Sequence, residues 1–165
     1  NILDKIFEQY YTPSVKVKEV ETILSNNKVV SIHLRRNADL ILRLANKLEK
    51  KYLPTFIILG STEHQKIPKF DFENQINLID SYTKGYNLFD VLYLSSKSDY
   101  FIGGRGGFEL FHWLIGVKSI NFFDQVGFRE IETGWWNKNL WESNEIDKLF
   151  QTETPINTAL KRVRF

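Results

Sequence analysis

No cysteine occurs among the 165 residues. Disulfide scaffolds, zinc ribbons and thiol catalysis are therefore excluded. Methionine is absent too, even from position 1. A translated chain opens with one, so the N-terminus is expected to be trimmed, or excised from a longer sequence. The start Asn1-Ile2-Leu3-Asp4-Lys5 lacks the basic region and long apolar core of a signal peptide. No apolar run approaches the ~18 residues of a membrane span. Neither sign of charge dominates: 22 basic and 20 acidic residues leave a net charge of +2. That balance argues against a nucleic-acid-coating protein and leaves room for a local basic site. Internal repeats and low-complexity linkers are missing as well.

What is present is an ordinary globular mixture, 42% hydrophobic and 25% charged. The length suits one domain, or one piece of a larger protein. Aromatic residues reach 15%, and the tryptophans gather in the last third of the chain.

Hydrophobic periodicity predicts alternating helices and strands. Residues 14–24 have helical spacing, with Asn26-Asn27 to end the helix. Residues 28–34 (KVVSIHL) read as a strand buried on both faces. Residues 39–52 carry a Leu40, Leu44, Leu48 stripe and basic residues at the C-terminal end, as the helix dipole prefers. Residues 54–59 form a strand stopped by Gly60-Ser61. A polar loop follows, then a short strand at 76–79 and a helix over 88–96. Residues 99–102 form a strand that runs into Gly103-Gly104-Arg105-Gly106-Gly107. Residues 108–115 form a helix closed by Gly116, and 117–123 form the last strand.

This order predicts a Rossmann-like α/β sandwich: about five parallel strands with helices on both faces. The core is expected at 28–123. A helical segment covers 1–27, and a Trp-rich segment, 124–165, wraps the domain as short helices. Trp135, Trp136 and Trp141 are read as packing residues, with a sugar-stacking platform as the alternative.

Ligands of such sheets bind beyond the carboxyl ends of the strands. Two loops there stand out. Four glycines in residues 103–107 let a ligand approach the backbone closely. They feed a helix N-terminus, which favours an anion. Arg105 adds a planar donor fork suited to phosphate. The plainer alternative is a tight turn. The loop is not a P-loop, since no Lys-Ser/Thr follows, nor a dinucleotide fingerprint. The second loop carries His33, Arg35 and Arg36. Strand alternation sets His33 and Arg35 on one face and Leu34 and Arg36 on the other. Two adjacent arginines suit a diphosphate; surface ion pairs, for example to Asp39, are the alternative. His33 is read as positioning a phosphate rather than as a base.

Weaker candidates for a nucleoside are Gly60 and Ser61 after the second strand, Asp80 after the third, Asp90 and Glu109. Asp90 is also favoured by a helix dipole, and Glu109 also suits a cap. His112 and Trp113 read as packing residues. Asp71-Phe72-Glu73 sits in a polar loop and carries little weight. No cluster has metal-ligand spacing, so neither metal nor cofactor is expected. No nucleophile elbow is found.

These residues support a resemblance. Residues 29–36 (VVSIHLRR) are similar to the His-x-Arg-Arg segment of the α1,2/α1,6-fucosyltransferase superfamily. Residues 88–103 (LFDVLYLSSKSDYFIG) resemble the later part of its nucleotide-sugar domain. Bacterial glycosyltransferases of unassigned specificity have a similar order ending in a Gly-Val-x-x-Ile strand, here Gly116 to Ile120. The resemblance spans about residues 28–123. It implies one half of a two-domain GT-B enzyme, with a nucleotide sugar and a glycan acceptor as partners and the second domain elsewhere. It further implies that Arg35 and Arg36 hold the donor diphosphate, together with the loop from Gly104 through Arg105 and Gly106 to Gly107. GDP-fucose is the implied donor, with another nucleotide sugar as the alternative. Gly60-Ser61-Thr62 stand where that superfamily usually carries acidic residues, and Arg105-Gly106-Gly107 replace a Ser/Thr-Ser pair. The mechanism implied is metal-independent glycosyl transfer in polysaccharide biosynthesis. The cytoplasm, including the periphery of the inner membrane, is the expected location. A non-catalytic nucleotide-binding module and a protein-interaction domain are the competing readings.

Overall fold

The computed structural model describes residues 2–63, 65–104, 106–123, 147–148 and 153–165. Its elements in chain order are α1 (Ile2–Tyr10), α2 (Val15–Ser25), β1 (Val29–His33), α3 (Ala38–Tyr52), β2 (Thr55–Leu59) and β3 (Gln75–Asn77). A 3-10 turn (Ser81–Lys84) precedes α4 (Leu88–Ser95). Then follow β4 (Tyr100–Gly103), α5 (Gly107–Leu114), β5 (Lys118–Phe123), β6 (Asp147–Lys148) and α6 (Glu153–Arg162). The expected strands and helices over 14–123 are all present, within a few residues at their ends. Arg105, Trp135, Trp136 and Trp141 lie outside the described residues.

The strand order is β3-β2-β1-β4-β5-β6 and every pairing is parallel. The chain is a Rossmann-like α/β fold. From β1 it moves outward through β2 to β3. It then returns along α4 and starts again at β4, on the other side of β1. The carboxyl ends of β1 and β4 therefore flank the switch point, where a crevice opens.

Side-chain alternation divides the core between the two faces. Val30, Ile32, Phe56, Ile58 and Ile102 face α3 and α6. Val29, Ile57, Leu59 and Phe101 face α2 and α4. Strands covered on both sides read as continuous apolar runs, which is why β1 and β2 were legible. Helix α3 buries Leu40, Ile41, Leu44, Ala45 and Leu48, and α6 adds Ile156, Ala159 and Val163 to the same layer. A fully buried aliphatic side chain contributes roughly 1.5–3 kcal/mol, so this stripe anchors the face. Leu53 ends α3 in a left-handed conformation (φ 47°, ψ 54°), and its N–H donates to the Glu49 carbonyl.

On the other face α1 and α2 pack near α4. The Phe7, Tyr11 and Tyr93 rings meet at centroid distances of 5.0–5.8 Å. The Tyr93 hydroxyl donates to Glu21 at 2.6 Å. Among the described residues no helix is long and apolar enough to cross a membrane.

Candidate functional site

Beyond the carboxyl ends of β1, β2 and β3 lies a cleft of about 850 Å³. Its polar lining includes Arg35, Arg36, Ser61, Glu63, Gln65 and Ser81, with Gly107 beside them. Leu88, Val91 and Leu92 of α4 and Phe108 and Phe111 of α5 supply apolar lining. The volume suits a small-molecule ligand.

The β1 loop is pinned from several sides. The Leu34 N–H donates to the Leu59 carbonyl at 2.9 Å. The Leu34 carbonyl accepts from the Gln65 amide at 2.7 Å. The Asn37 amide donates to the Phe122 carbonyl at 3.0 Å. Asn37 itself holds φ 57°, a left-handed value that asparagine tolerates better than most residues. Between these fixed points Arg35 and Arg36 stay exposed.

The glycine loop lies beside them. A Cβ on Gly104 would sit 3.3 Å from the Phe122 carbonyl oxygen and 3.4 Å from Arg36 Cβ. A Cβ on Gly106 would sit 4.0 Å from Arg35 Nη1. At Gly107 nothing lies within 4 Å. The missing side chains thus let the two loops touch, and leave open space over the start of α5.

The two helices that meet the cleft differ at their N-termini. Helix α4 is closed by a capping box: Asn87 accepts from the Asp90 N–H, and the Asp90 carboxylate from the Asn87 N–H, both at 2.9 Å. Helix α5 begins after Gly106 with no side-chain cap. Its first-turn N–H groups and positive dipole end are open to an anion.

His33 lies beside α5, and Arg35 and Arg36 line the same cleft rather than opposite faces, because β1 ends at His33 and strand alternation stops there. The His33 ring packs edge-on against Phe108 at 4.8 Å. Burial, reinforced by the charge of Arg35 and by His112, lowers its pKa to about 4. At neutral pH the imidazole is therefore a neutral hydrogen-bonding group in the cleft.

The weaker candidates separate. Gly60 and Ser61 line the cleft. A Cβ on Gly60 would come within 3.2 Å of the Leu34 carbonyl oxygen. Asp80 holds φ 50° and lies beside the cleft. Its carboxylate accepts from the Thr62 N–H at 2.9 Å and from the Thr62 hydroxyl. These bonds hold the carboxyl below its ordinary pKa range and tie the ends of β2 and β3 together. Asp90 points away from the cleft, into its capping box and onto the Tyr11 hydroxyl at 2.5 Å. Glu109 is fully buried on the inner face of α5. His112 is buried as expected, stacked on Phe101 at 4.1 Å. The arginine loop, the glycine loop, Gly60 and Ser61 come together; Asp90 and Glu109 do not join them.

The apolar wall was not anticipated. Leu88 is 63% exposed and lines the cleft in the first turn of α4. The spacing of Leu88, Val91 and Leu92, and of Phe108 and Phe111, carried the signal. Each set repeats at three or four residues, on one helix face. Among the described residues no group of three or more His, Asp or Glu is placed to hold a metal ion.

No family model matches the chain, and no curated protein sequence does either. Among solved structures, the chain is similar in fold to one described as the glycosyl transferase family 9 from Veillonella parvula DSM 2008, with 8% sequence identity and a TM-score of 0.51. The similarity covers 91% of this chain and 44% of that one, so the chain spans less than half the length of this solved glycosyltransferase, whose fold it shares.

Proposed function

We propose that the chain is the donor-binding domain of a metal-independent GT-B glycosyltransferase that acts in polysaccharide biosynthesis. The observation that carries this reading is the meeting of Arg35 and Arg36 with the uncapped start of α5 at the switch point of the sheet. The likeness of fold to a solved glycosyltransferase supports it.

In this reading a nucleoside-diphosphate sugar lies along the cleft. Its diphosphate sits between the two arginines and the N–H groups that follow Gly106, with Gly104, Arg105 and Gly107 completing the loop. Its nucleoside lies against the apolar wall toward Gly60 and Ser61. Asp80 steadies that end through Thr62. Departure of the nucleoside diphosphate concentrates negative charge on the terminal phosphate. Fixed guanidinium groups and the helix dipole stabilise that charge as it develops. His33, neutral at pH 7, donates or accepts a hydrogen bond at the diphosphate end. The donor is a GDP-fucose-like nucleotide sugar and the acceptor a glycan, met in a cleft completed by a second domain. The working place is the cytoplasm, at the periphery of the inner membrane.

Isothermal titration with GDP, UDP, ADP and CDP tests the reading. One of them binding, and losing affinity in Arg35→Ala and Arg36→Ala, supports it. No binding of any by the folded protein overturns it. The competing reading is a module that binds a nucleoside diphosphate without transferring its sugar. Turnover of a nucleotide sugar by the full-length gene product would exclude that alternative.

A further inference from the structure

The edge of the sheet opposite the cleft carries its own pattern. Three rings stand in line there. Phe165 packs edge-on against Tyr52 at 5.0 Å and against Tyr100 at 5.5 Å. Lysine ammonium groups surround them. Lys28 lies 5.6 Å from the Tyr52 ring and 5.5 Å from the Phe165 ring. Lys51 lies 5.0 Å from Tyr52, and Lys118 lies 5.5 Å from Tyr100. Arg164 is exposed beside them, its backbone N–H bonded to the Tyr100 hydroxyl at 2.8 Å.

The helix dipole explains a lysine at the end of α3, such as Lys51. It does not explain Lys28 and Lys118, which stand at the starts of strands β1 and β5. None of these three lysines has a carboxylate at ion-pair distance among the described residues. Acids at this edge have backbone partners of their own: Asp99 accepts from the Val29 N–H at 2.8 Å, and Glu49, in the last turn of α3, from the Glu73 N–H at 2.9 Å. Apolar side chains stand among the cations: Leu53 is 50% exposed and Phe165 41%.

We infer that this edge docks on an anionic lipid surface. Ammonium groups at phosphate level, with leucine and phenylalanine reaching below them, is the composition an anionic interface selects. Lysine stems lie along apolar surface while their charged heads stay in water. Charge complementarity names the occupant, and the exposed apolar residues favour lipid over nucleic acid, whose phosphates would leave Leu53 in water. The surface lies at the far edge from the cleft, so bound lipid leaves the cleft open. The inference gives a surface to the peripheral membrane placement proposed above, and its test is read apart from nucleotide binding.

The experiment is cosedimentation of the protein with vesicles of phosphatidylcholine alone and of an equimolar phosphatidylcholine–phosphatidylglycerol mixture. Binding to the mixed vesicles only, weakened by salt, is expected. Lys28→Gln and Lys118→Gln each weaken it by about fivefold. Leu53→Asn weakens it without changing charge, and the fold is safe there because asparagine accepts a left-handed φ. Nucleoside diphosphate affinity stays unchanged in all three variants. Equal binding to both vesicles, no binding at low salt, or full binding by the two lysine variants overturns the inference. So does full binding by Leu53→Asn, or preference for duplex DNA over the mixed vesicles.

Discussion

Arg35 Nη1 lies 4.0 Å from the point a Cβ on Gly106 would occupy, so the first strand's loop and the fourth strand's loop form one surface. A ligand phosphate held there touches both. Charge-assisted hydrogen bonds contribute about 1.5–3 kcal/mol each. Arg35→Ala is therefore expected to weaken nucleoside diphosphate binding roughly 10- to 100-fold, and Arg36→Ala to act in the same direction. Both side chains are exposed, so thermal unfolding without ligand should barely move. Titration calorimetry beside a melting curve separates the two effects.

Two neighbouring glycines should respond with opposite signs. Gly107 opens α5 with nothing near its Cβ position. Gly107→Ala is expected to stabilise the free protein by about 0.4–1 kcal/mol, because the unfolded chain loses freedom. The same methyl enters the open space over the helix start and lowers ligand affinity about tenfold, equivalent to 1.4 kcal/mol. At Gly104 the Cβ meets the Phe122 carbonyl and Arg36, so Gly104→Ala costs about 1–3 kcal/mol of stability. Urea unfolding with and without nucleoside diphosphate checks both signs.

Tyr11 and Asp90 join residues far apart in the chain. Burial and the bonded Asp90 carboxylate raise the Tyr11 pKa, so the phenol stays protonated and donating at neutral pH. Tyr11→Phe removes a hydrogen bond to a charged group and should cost about 1.5–3 kcal/mol. Asn87→Ala removes the cap of α4 and should cost about 1 kcal/mol. The double variant should depart from additivity, because both changes act on Asp90. Chemical denaturation of the two single variants and the double variant measures that coupling.

The buried histidines set an acid limit. Burial lowers the pKa values of His33 and His112 to about 4, below the unfolded value near 6.5. Between pH 6.5 and 4 the unfolded chain binds protons that the folded chain refuses. Stability is therefore fully present above the unfolded pKa and falls as pH drops through this window. Each histidine should remove on the order of 1–2 kcal/mol between pH 7 and 5. Denaturant unfolding at both pH values tests this, and His112→Gln should flatten the slope.

The strands and helices were legible because burial dictates their patterns. Residues 28–34 and 54–59 are β-branched or aromatic runs, as strands covered on both sides must be. Helix α3 announced itself through the Leu40–Leu44–Leu48 stripe. The arginine and glycine loops stood out because their composition is costly without a purpose. The partners of Asp80 and Asp90 were hidden, since Thr62 and Tyr11 reach them only through the tertiary fold. The cleft wall was hidden for the same reason. Leu88 reads as a core residue until the turn before α4 sets where its first turn begins.

Helix α6 has a consequence for how the chain is made. It supplies Ile156, Ala159 and Val163 to the layer that covers α3, yet α3 ends at Tyr52. On the ribosome the Leu44–Leu48 face emerges long before its cover. At roughly 5–20 residues per second that face waits several seconds in water. Until α6 follows, the sheet alone can cover that face, so this layer closes only after residues more than a hundred positions downstream have been made.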